Sequence, residues 1–218
     1  MSGLFISVEG PDGSGKSSVV KALAEKLSIV LPEGQELVVT REPGGSPIAE
    51  KIRQTLLTVE NSAMDERTEA LLFAASRRQH LIEKIQPALA REAVVLSDRF
   101  VDSSIAYQGA GRQIGVEAVR DVNLFATEGL LPDLTLFLDV DVKVGLERIA
   151  HPDSKRALDR LELETIEFHE RVCAGYQAII ESDPERFSVV DANLPLDEVV
   201  QTAWQKLAAE LSKRNIIV

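Results

Sequence analysis

Cysteine, basic residues and long apolar runs are all scarce in this chain of 218 residues. The single cysteine, Cys173, has no partner within the chain for a disulfide, and no cysteine pattern resembles a metal site. This cysteine usage is typical of a reducing compartment, so we expect a cytoplasmic protein. No apolar run reaches the ~18 residues that cross a bilayer, and the N-terminus lacks the basic region of a signal peptide. The sequence therefore predicts a soluble protein with no membrane partner.

Acidic residues outnumber basic ones. Asp and Glu total 35 against 24 Lys and Arg, which gives a formal net charge of -11. A surface this acidic repels the phosphate backbone of DNA or RNA, so a nucleic acid polymer is not expected as a partner. Hydrophobic residues make up 44% of the chain, which is enough for a sizeable buried core.

Short apolar runs alternate with segments of helical periodicity along the whole chain. This alternation is typical of parallel strands joined by crossover helices. Because the runs are almost continuously apolar, we expect helices on both faces of the sheet. The prediction is a single α/β domain over residues 1–218, with three layers (α/β/α) and a five-stranded parallel sheet. The predicted strands are residues 4–8, 36–40, 93–97, 134–139 and 187–191.

Two predicted helices carry apolar stripes. The longer one is expected to start near Asp65 and to end where Pro87 interrupts it. A C-terminal helix is expected to place Trp204 in the core. The residues predicted on the apolar side of the longer helix are Leu71, Leu72, Ala75, Leu81, Ile82 and Ile85.

Residues 10–17 match the P-loop pattern G-x-x-x-x-G-K-[ST] between a predicted strand and a predicted helix. Small residues let backbone N–H groups close around a phosphate at the helix N-terminus, and Lys16 adds a positive charge there. Ser17 is predicted to bind the Mg²⁺ that bridges the phosphates of ATP. The alternative is an accidental glycine turn. The predicted ATP-binding residues are Gly10, Pro11, Asp12, Gly13, Ser14, Gly15, Lys16 and Ser17.

A P-loop alone does not identify a reaction, because switches, motors and kinases share it. Asp98, Arg99 and Phe100 directly follow the predicted strand 93–97, at the carboxyl edge of the sheet where open α/β proteins bind ligands. Arg99 can then face the P-loop and bind a second phosphate group. A buried structural pair between Asp98 and Arg99 is the alternative.

Four further motifs occur beside the P-loop: residues 40–45 (TREPGG), 73–77 (FAASR), 98–100 (DRF) and 103–109 (SSIAYQG). By these motifs, and by their order, the chain resembles the thymidylate kinase family over essentially its whole length. The resemblance implies Mg²⁺-dependent transfer of the γ-phosphoryl group of ATP to dTMP, in a family that commonly forms homodimers through the long helix. The alternatives are another P-loop nucleotide or deoxynucleoside kinase and, in a different class, a P-loop ATPase switch. The sequence has no Asn-Lys-x-Asp motif, the segment with which GTPases recognise guanine, so a GTPase switch is not favoured.

The resemblance also assigns residues to a dTMP pocket. It implies that Phe73 stacks on the thymine ring, that Arg77 reaches a base carbonyl and that Gln108 reads the base edge. Stacking on an aromatic ring stabilises by roughly 1–3 kcal/mol per base, and unpaired hydrogen-bonding groups reject the wrong base. From helical spacing alone Phe73 could equally be a core residue, although a spacing of four places it and Arg77 on one helix face.

The same resemblance implies roles around the sugar and the 5′-phosphate. Tyr107 crowds the 2′ carbon, Asp12 accepts a hydrogen bond from the 3′-hydroxyl, and Arg99 with Arg53 binds the 5′-phosphate. Glu42 belongs to a turn that lines the monophosphate pocket. A plain turn residue and a solvated helix residue are the alternatives for Asp12 and Arg53. The predicted substrate-binding residues are Asp12, Glu42, Arg53, Phe73, Arg77, Arg99, Ser104, Tyr107 and Gln108.

A basic segment with Pro and Asp, residues 150–160, is expected to be a mobile lid. The family carries arginines in such a lid, and some members also carry one at the P-loop position that is Gly13 here. We therefore expect Arg156, together with Arg160, to supply charge to the transferring phosphoryl group, with a solvated charge run as the alternative. No general base is expected, because the second pKa of the acceptor phosphate is about 6. The predicted catalytic residues are Lys16, Arg99, Arg156 and Arg160.

Overall fold

The computed structural model describes residues 3–150 and 158–217, and within them five strands form one parallel sheet. The strands are β1 (Leu4–Glu9), β2 (Leu37–Arg41), β3 (Val94–Asp98), β4 (Leu134–Asp139) and β5 (Phe187–Asp191). Their order across the sheet is β2-β3-β1-β4-β5, and each neighbouring pair is parallel. The predicted five-stranded parallel sheet is confirmed, with β2 and β3 starting one residue later than predicted.

Helices connect and follow the strands. Two of them continue directly into π-helical turns: α3 runs through Leu81–Ile85 into α4, and α5 runs into Ile105–Gly111. A short 3-10 turn, Val59–Asn61, follows α2. The α-helices are α1 (Lys16–Val30), α2 (Pro47–Leu57), α3 (Glu66–His80), α4 (Gln86–Ala90), α5 (Val101–Ser104), α6 (Val116–Thr127), α7 (Val142–Ala150), α8 (Ile166–Ser182) and α9 (Leu196–Lys213).

Side chains of the strands alternate between two hydrophobic cores. On β1, Leu4, Ile6 and Val8 belong to one core, which α1 and α9 complete, whereas Phe5 belongs to the other. Both faces of the sheet are therefore buried, as the sequence predicted. Trp204 on α9 packs against the first core but is only partly buried, so its predicted core position is met in part.

The long helix differs from its predicted form in two respects. It does not end at Pro87: the chain continues through the π-helical turn Leu81–Ile85 into α4, and Pro87 lies in the first turn of α4. Its buried face carries Phe73 and Arg77, whereas Leu71 and Ile82 of the predicted apolar side are exposed. Acceptors from other parts of the chain satisfy the buried guanidinium. Leu81 and Ile85 lie in the core and Leu72 packs against it, as predicted, so hydropathy was right for these residues but missed the buried Arg77.

The carboxyl edge of the sheet brings two sequence motifs together. β1 and β3 are neighbours, with Val8 opposite Asp98, so the P-loop and residues 99–100 emerge side by side. The predicted lid falls mainly on residues 151–157, including Arg156, which lie outside the described residues. None of the helices described is long and apolar enough to cross a membrane.

Candidate active site

The loop between β1 and α1 folds around the amino end of α1. Gly13 and Gly15 adopt the left-handed backbone conformation (φ 76° and 86°), which favours glycine. Lys16 is buried at the start of α1, and its ammonium group donates to the carbonyl oxygens of Gly10 (3.0 Å) and Pro11 (2.7 Å). The amino end of a helix and a buried ammonium group together favour the binding of a phosphate.

The packing of α7 around Gly13 explains why this position of the P-loop carries no arginine. A Cβ atom on Gly13 would overlap the carbonyl oxygen of Gly145, and a Cβ atom on Gly145 would lie 2.5 Å from the carbonyl oxygen of Asp12. α7 therefore packs directly on the P-loop and leaves no room for a side chain at position 13. From α7, Arg148 donates to the carbonyl oxygens of Gly13 (3.4 Å) and Ala192 (2.8 Å).

Ser17 and Asp98 form a pair of oxygen groups beside the P-loop. The hydroxyl of Ser17 donates to Oδ2 of Asp98 at 2.8 Å. Such a pair fits Mg²⁺, which binds a few protein oxygens together with phosphate oxygens and water. Among the described residues no group of three or more His, Cys, Asp or Glu could hold a metal, and Asp98 forms no ion pair with Arg99, which binds Asp12 instead. Asp98 was not predicted as a ligand, and its place at a strand end was the available signal.

Arg99 is directed toward the P-loop. It has a left-handed backbone (φ 71°), which is uncommon for a residue with a side chain. Its guanidinium donates to Oδ1 of Asp12 (2.5 Å), the hydroxyl of Tyr107 (3.2 Å) and the carbonyl oxygen of Gly10 (3.1 Å). Burial acts to raise the pKa of Asp12, but the charges of Arg99 and then Lys16 outweigh it and leave that pKa below its usual value.

Glu9 accepts hydrogen bonds from groups that adjoin or contact Arg99. This glutamate was not predicted from the sequence. Its carboxylate accepts from the backbone N–H that follows Arg99 (2.6 Å), from the hydroxyl of Ser103 (2.6 Å) and from that of Tyr176 (2.9 Å). Both hydroxyls also accept from Arg99, at 3.0 and 3.4 Å. Burial, reinforced by the charge of Asp102, raises the pKa of Glu9 to about 7. An acidic residue at the end of a buried strand was the only sequence signal.

One cavity of about 560 Å³ joins the P-loop to the predicted dTMP residues. Phe73 packs in the hydrophobic core and also lines this cavity. A core position and a position on the wall of the cavity are therefore compatible for this residue. Gly10, Pro11 and Ser14 contact the ammonium group of Lys16. The predicted site residues that line the cavity are Asp12, Gly13, Gly15, Lys16, Ser17, Glu42, Arg53, Phe73, Arg77, Arg99, Ser104, Tyr107 and Gln108.

Arg77 is buried in the cavity wall with most of its donors already paired. Its Nε donates to Glu42 (2.7 Å), one terminal nitrogen donates to Ser104 (3.0 Å) and to Asn123, and the other donates to the carbonyl oxygen of Phe100 (3.0 Å). A guanidinium has five N–H donors. Within the described residues these four contacts leave one donor of Arg77 for a ligand.

Glu42 begins the turn that shapes the next part of the wall. The Glu42–Pro43 peptide bond is cis, and the second carboxylate oxygen of Glu42 contacts Nδ1 of His80 at 3.0 Å. Arg53 of α2 lines the cavity and donates to the carbonyl oxygen of Pro43 at 2.8 Å. Burial, and next the positive charge of Arg41, lower the pKa of Arg53. Arg53 is thus partly buried at the site and not a solvated helix residue.

Comparison with known proteins decides between the kinds of P-loop protein. The sequence model described as thymidylate kinase matches residues 8–203. A curated thymidylate kinase of Latilactobacillus sakei subsp. sakei is 55% identical over 208 residues, which are 95% of this chain and 96% of the relative. The chain belongs to the thymidylate kinase family.

Two further thymidylate kinases also match the chain over nearly its whole length. The thymidylate kinase of Bacillus pumilus is 46% identical over 216 residues, which are 99% of this chain and 100% of the relative. A crystal structure of thymidylate kinase from Ehrlichia chaffeensis has a TM-score of 0.75 and 30% identity, and the match covers 96% of this chain and 98% of that one. The three-layered fold with a P-loop is therefore the fold of this family.

Arg148 precedes the segment predicted to be a lid, and Arg160 is the last residue of that segment. Arg160 is buried outside the cavity wall, where it contacts Glu69 of α3 (2.6 Å) and donates to the carbonyl oxygen of Leu56 at the end of α2 (3.1 Å). These contacts favour a supporting position over the predicted one at the transferring phosphoryl group. Arg148 lines the cavity. Arg156, the other predicted lid residue, lies outside the described residues.

Proposed function

We propose the following roles for the residues of this chain in the thymidylate kinase reaction. The chain transfers the γ-phosphoryl group of ATP to dTMP and gives dTDP and ADP. The observation that carries the assignment of residues is the cavity in which the P-loop meets the predicted dTMP residues. In-line transfer requires that the phosphates of donor and acceptor face each other, and one continuous cavity permits this arrangement.

Residues 10–17 hold the phosphates of ATP, with Lys16 as their charged partner. The ammonium group of Lys16 exchanges its carbonyl acceptors in the loop for phosphate oxygens. Ser17 and Asp98 are placed to hold Mg²⁺, since their side-chain oxygens already lie 2.8 Å apart. When bound, the ion neutralises charge on the β- and γ-phosphates.

Arg99 and Arg53 bind the 5′-phosphate of dTMP, and Asp12 accepts a hydrogen bond from the 3′-hydroxyl of the sugar. All three residues line the cavity. Arg99 is already within hydrogen-bonding distance of Asp12 and of the P-loop backbone, so a phosphate held by its guanidinium lies next to the donor site. A bound phosphate gives Arg99 a charged acceptor in place of the neutral hydroxyl and carbonyl groups that it contacts beside Asp12.

The base and the sugar are recognised by residues of α3 and of the segment around the π-helical turn after α5. Phe73 stacks on thymine, and Arg77 uses its remaining donor on a base carbonyl, with Ser104 and Glu42 holding its other nitrogens. Tyr107 is buried beside Arg99 and fills the space on the 2′ side of the sugar, which favours a deoxynucleotide.

Catalysis then requires alignment and charge but no general base. The acceptor phosphate has a second pKa of about 6, so its oxygen is mostly deprotonated at neutral pH and can attack directly. Lys16 and Arg99 stabilise the charge that develops at the donor and acceptor ends. We assign Arg156 to the transferring phosphoryl group; single-turnover rates of Arg156→Ala that match those of the unmodified chain would refute this. For Arg160, the buried contact with Glu69 supports an indirect role.

We further propose that the chain forms a homodimer in the cytoplasm. Exposed apolar side chains lie on the adjacent helices α3 and α6: Leu71 is 57%, Leu124 60% and Phe125 88% exposed. Arg78 of α3 donates to the carbonyl oxygen of Ala126 in α6 (3.2 Å), which ties the two helices together. A second copy would cover this apolar surface. The cellular location rests on the cysteine usage of the chain.

Release of ADP from ATP, measured with and without dTMP, tests the reaction. We expect release only when dTMP is present, with dTDP identified as the product by mass spectrometry. A P-loop ATPase switch would instead release ADP without dTMP. A panel of dUMP, dCMP and thymidine tests the alternative nucleotide and deoxynucleoside kinases. A higher kcat/KM for any of these acceptors than for dTMP would contradict the assignment.

A further inference from the structure

Glu69 is a buried carboxylate that connects the cavity wall to two arginines. It lies on α3 one turn before Phe73 and has no exposed surface. Its Oε1 accepts from Nε2 of Gln108 (2.9 Å) and from Nε of Arg112 (3.3 Å). Its Oε2 contacts terminal nitrogens of Arg112 (3.1 Å) and Arg160 (2.6 Å). None of the roles given above explains why a charge is buried at this point.

Glu69 determines which end of the Gln108 amide faces the cavity. A carboxylate only accepts hydrogen bonds, so the NH₂ group of Gln108 must point toward it. The carbonyl oxygen lies on the other side of the amide carbon and is directed away from Glu69. Gln108 is 1% exposed and lines the cavity. This orientation leaves the carbonyl oxygen, the one acceptor of the Gln108 side chain, available for a bound base.

The two arginines restrict the movement of Glu69. Arg112 binds both of its carboxylate oxygens and also pairs with Glu164 at 2.6 Å. Arg160 is itself anchored by a main-chain carbonyl of α2 at 3.1 Å. Bidentate, charge-assisted contacts fix the orientation of a carboxylate as well as its distance. The amide of Gln108 therefore has one favourable orientation, with its acceptor toward the cavity.

Arg77 and Gln108 together form a donor and an acceptor that match one type of base edge. Arg77 retains one N–H donor after its contacts with the part of the chain that the structure describes. Thymine and uracil present an acceptor at O4 and a donor at N3–H. Cytosine presents the reverse, a donor at its 4-amino group and an acceptor at N3. Only the first pattern pairs with a donor from Arg77 and an acceptor from Gln108.

We propose that Glu69 is a positioning residue that selects thymine and uracil over cytosine by holding the carbonyl oxygen of Gln108 toward the base. This role rests on the dTMP reaction proposed above. It explains how the enzyme selects the base of its substrate. An amide that was free to rotate would offer its NH₂ group to N3 of cytosine equally well. Loss of the charge of Glu69 should therefore reduce base selectivity more than turnover.

Glu69→Gln tests this role, because a neutral amide can pair with either end of Gln108. The measurement is kcat/KM for dTMP, dUMP and 5-methyl-dCMP, the last of which differs from dTMP only at ring positions 3 and 4. We expect kcat/KM for dTMP and dUMP to fall together by about tenfold, as for one lost hydrogen bond, with 5-methyl-dCMP unchanged or improved. Glu66→Gln, an exposed position on the same helix, is the matched control and should leave all three values unchanged.

A double variant shows whether Glu69 acts through Gln108. Gln108→Met removes the acceptor while keeping the length of the side chain. Glu69→Gln should change the ratio of dTMP to 5-methyl-dCMP kcat/KM about tenfold in the original chain and not at all in the Gln108→Met background. An equal loss for all three nucleotides, an unchanged ratio, or additive effects of the two substitutions would overturn the proposal.

Glu69→Asp serves if thermal unfolding shows that Glu69→Gln does not fold. It keeps the charge but withdraws the carboxylate by one methylene, so the same ratio should shift in the same direction, and a ratio that stays constant would overturn the proposal. Absence of dTMP-dependent ADP release by the unmodified chain would instead refute the reaction. That result is distinct from every outcome named for Glu69.

Discussion

The charge state of Lys16 depends on the groups packed around it. Burial, and next the positive charge of Arg99, lower the pKa of Lys16 to about 8, while Asp12, Asp98 and Glu9 act in the opposite direction. A lysine with this pKa is mostly protonated at neutral pH and loses its charge shortly above it. Bound ATP phosphates add negative charge beside the ammonium group and raise its pKa again.

We predict that kcat/KM for ATP falls as the pH rises through about 8, since Lys16 then loses the charge that attracts phosphate. At saturating ATP the fall in kcat should occur at higher pH, because the complex holds this proton more tightly. Initial rates at low and at saturating ATP, measured across the neutral and alkaline range, give the pH profiles of kcat/KM and of kcat. Lys21→Met, an exposed change on α1, should leave both profiles as they are. If kcat and kcat/KM fell at the same pH, the prediction would be contradicted.

At the scale of elements, the P-loop packs closely against α7. Gly13 in the loop and Gly145 in the helix meet backbone to backbone, so that neither position has room for a methyl group. Some family members carry an arginine at position 13. In this chain α7 occupies that space, and Arg148 brings a positive charge from the helix to the loop.

Gly13→Ala is predicted to lower the free energy of unfolding by about 3 kcal/mol. The left-handed backbone accounts for ~1–2 kcal/mol and overlap with α7 for a further ~1–3 kcal/mol. Gly34→Ala is the matched control, because Gly34 has φ 86° but nothing within 4 Å of an added Cβ. It should cost only about 1 kcal/mol. Urea unfolding of the two variants measures the difference, and equal losses would show that α7 does not press on the P-loop.

For the molecule as a whole, the exposed surface of α3 and α6 is where a second copy is expected. Phe125→Asp should weaken the dimer, because a charge would be buried in place of an aromatic ring. Ile29→Asp is the control, since Ile29 on α1 is 82% exposed, close to the 88% of Phe125. Sedimentation equilibrium over a range of concentrations measures both. If Phe125→Asp associates as the unmodified chain does, α6 does not belong to the interface.

Prediction from sequence succeeded where the signal is local. The order of strands and helices follows from short-range hydropathy, and the P-loop is one continuous segment whose residue types already state its chemistry. The buried face of α3 could not be predicted in this way, because Arg77 is buried only through partners such as Glu42, 35 residues away in the chain. A single domain over residues 1–218 and the catalytic role of Arg156 stay predictions.

The sequence by itself determined the fold class, the phosphate-binding loop and the motifs of the thymidylate kinase family. Only the tertiary structure decided which side chains meet: Ser17 with Asp98, Gly13 with Gly145, and Glu69 with Gln108. Periodicity and motifs act over a few residues, so one chain segment carries them. Hydrogen bonds and steric contacts between distant segments depend instead on the strand order and on the packing of α3, α5 and α7 around the sheet edge, and no short stretch of sequence encodes that.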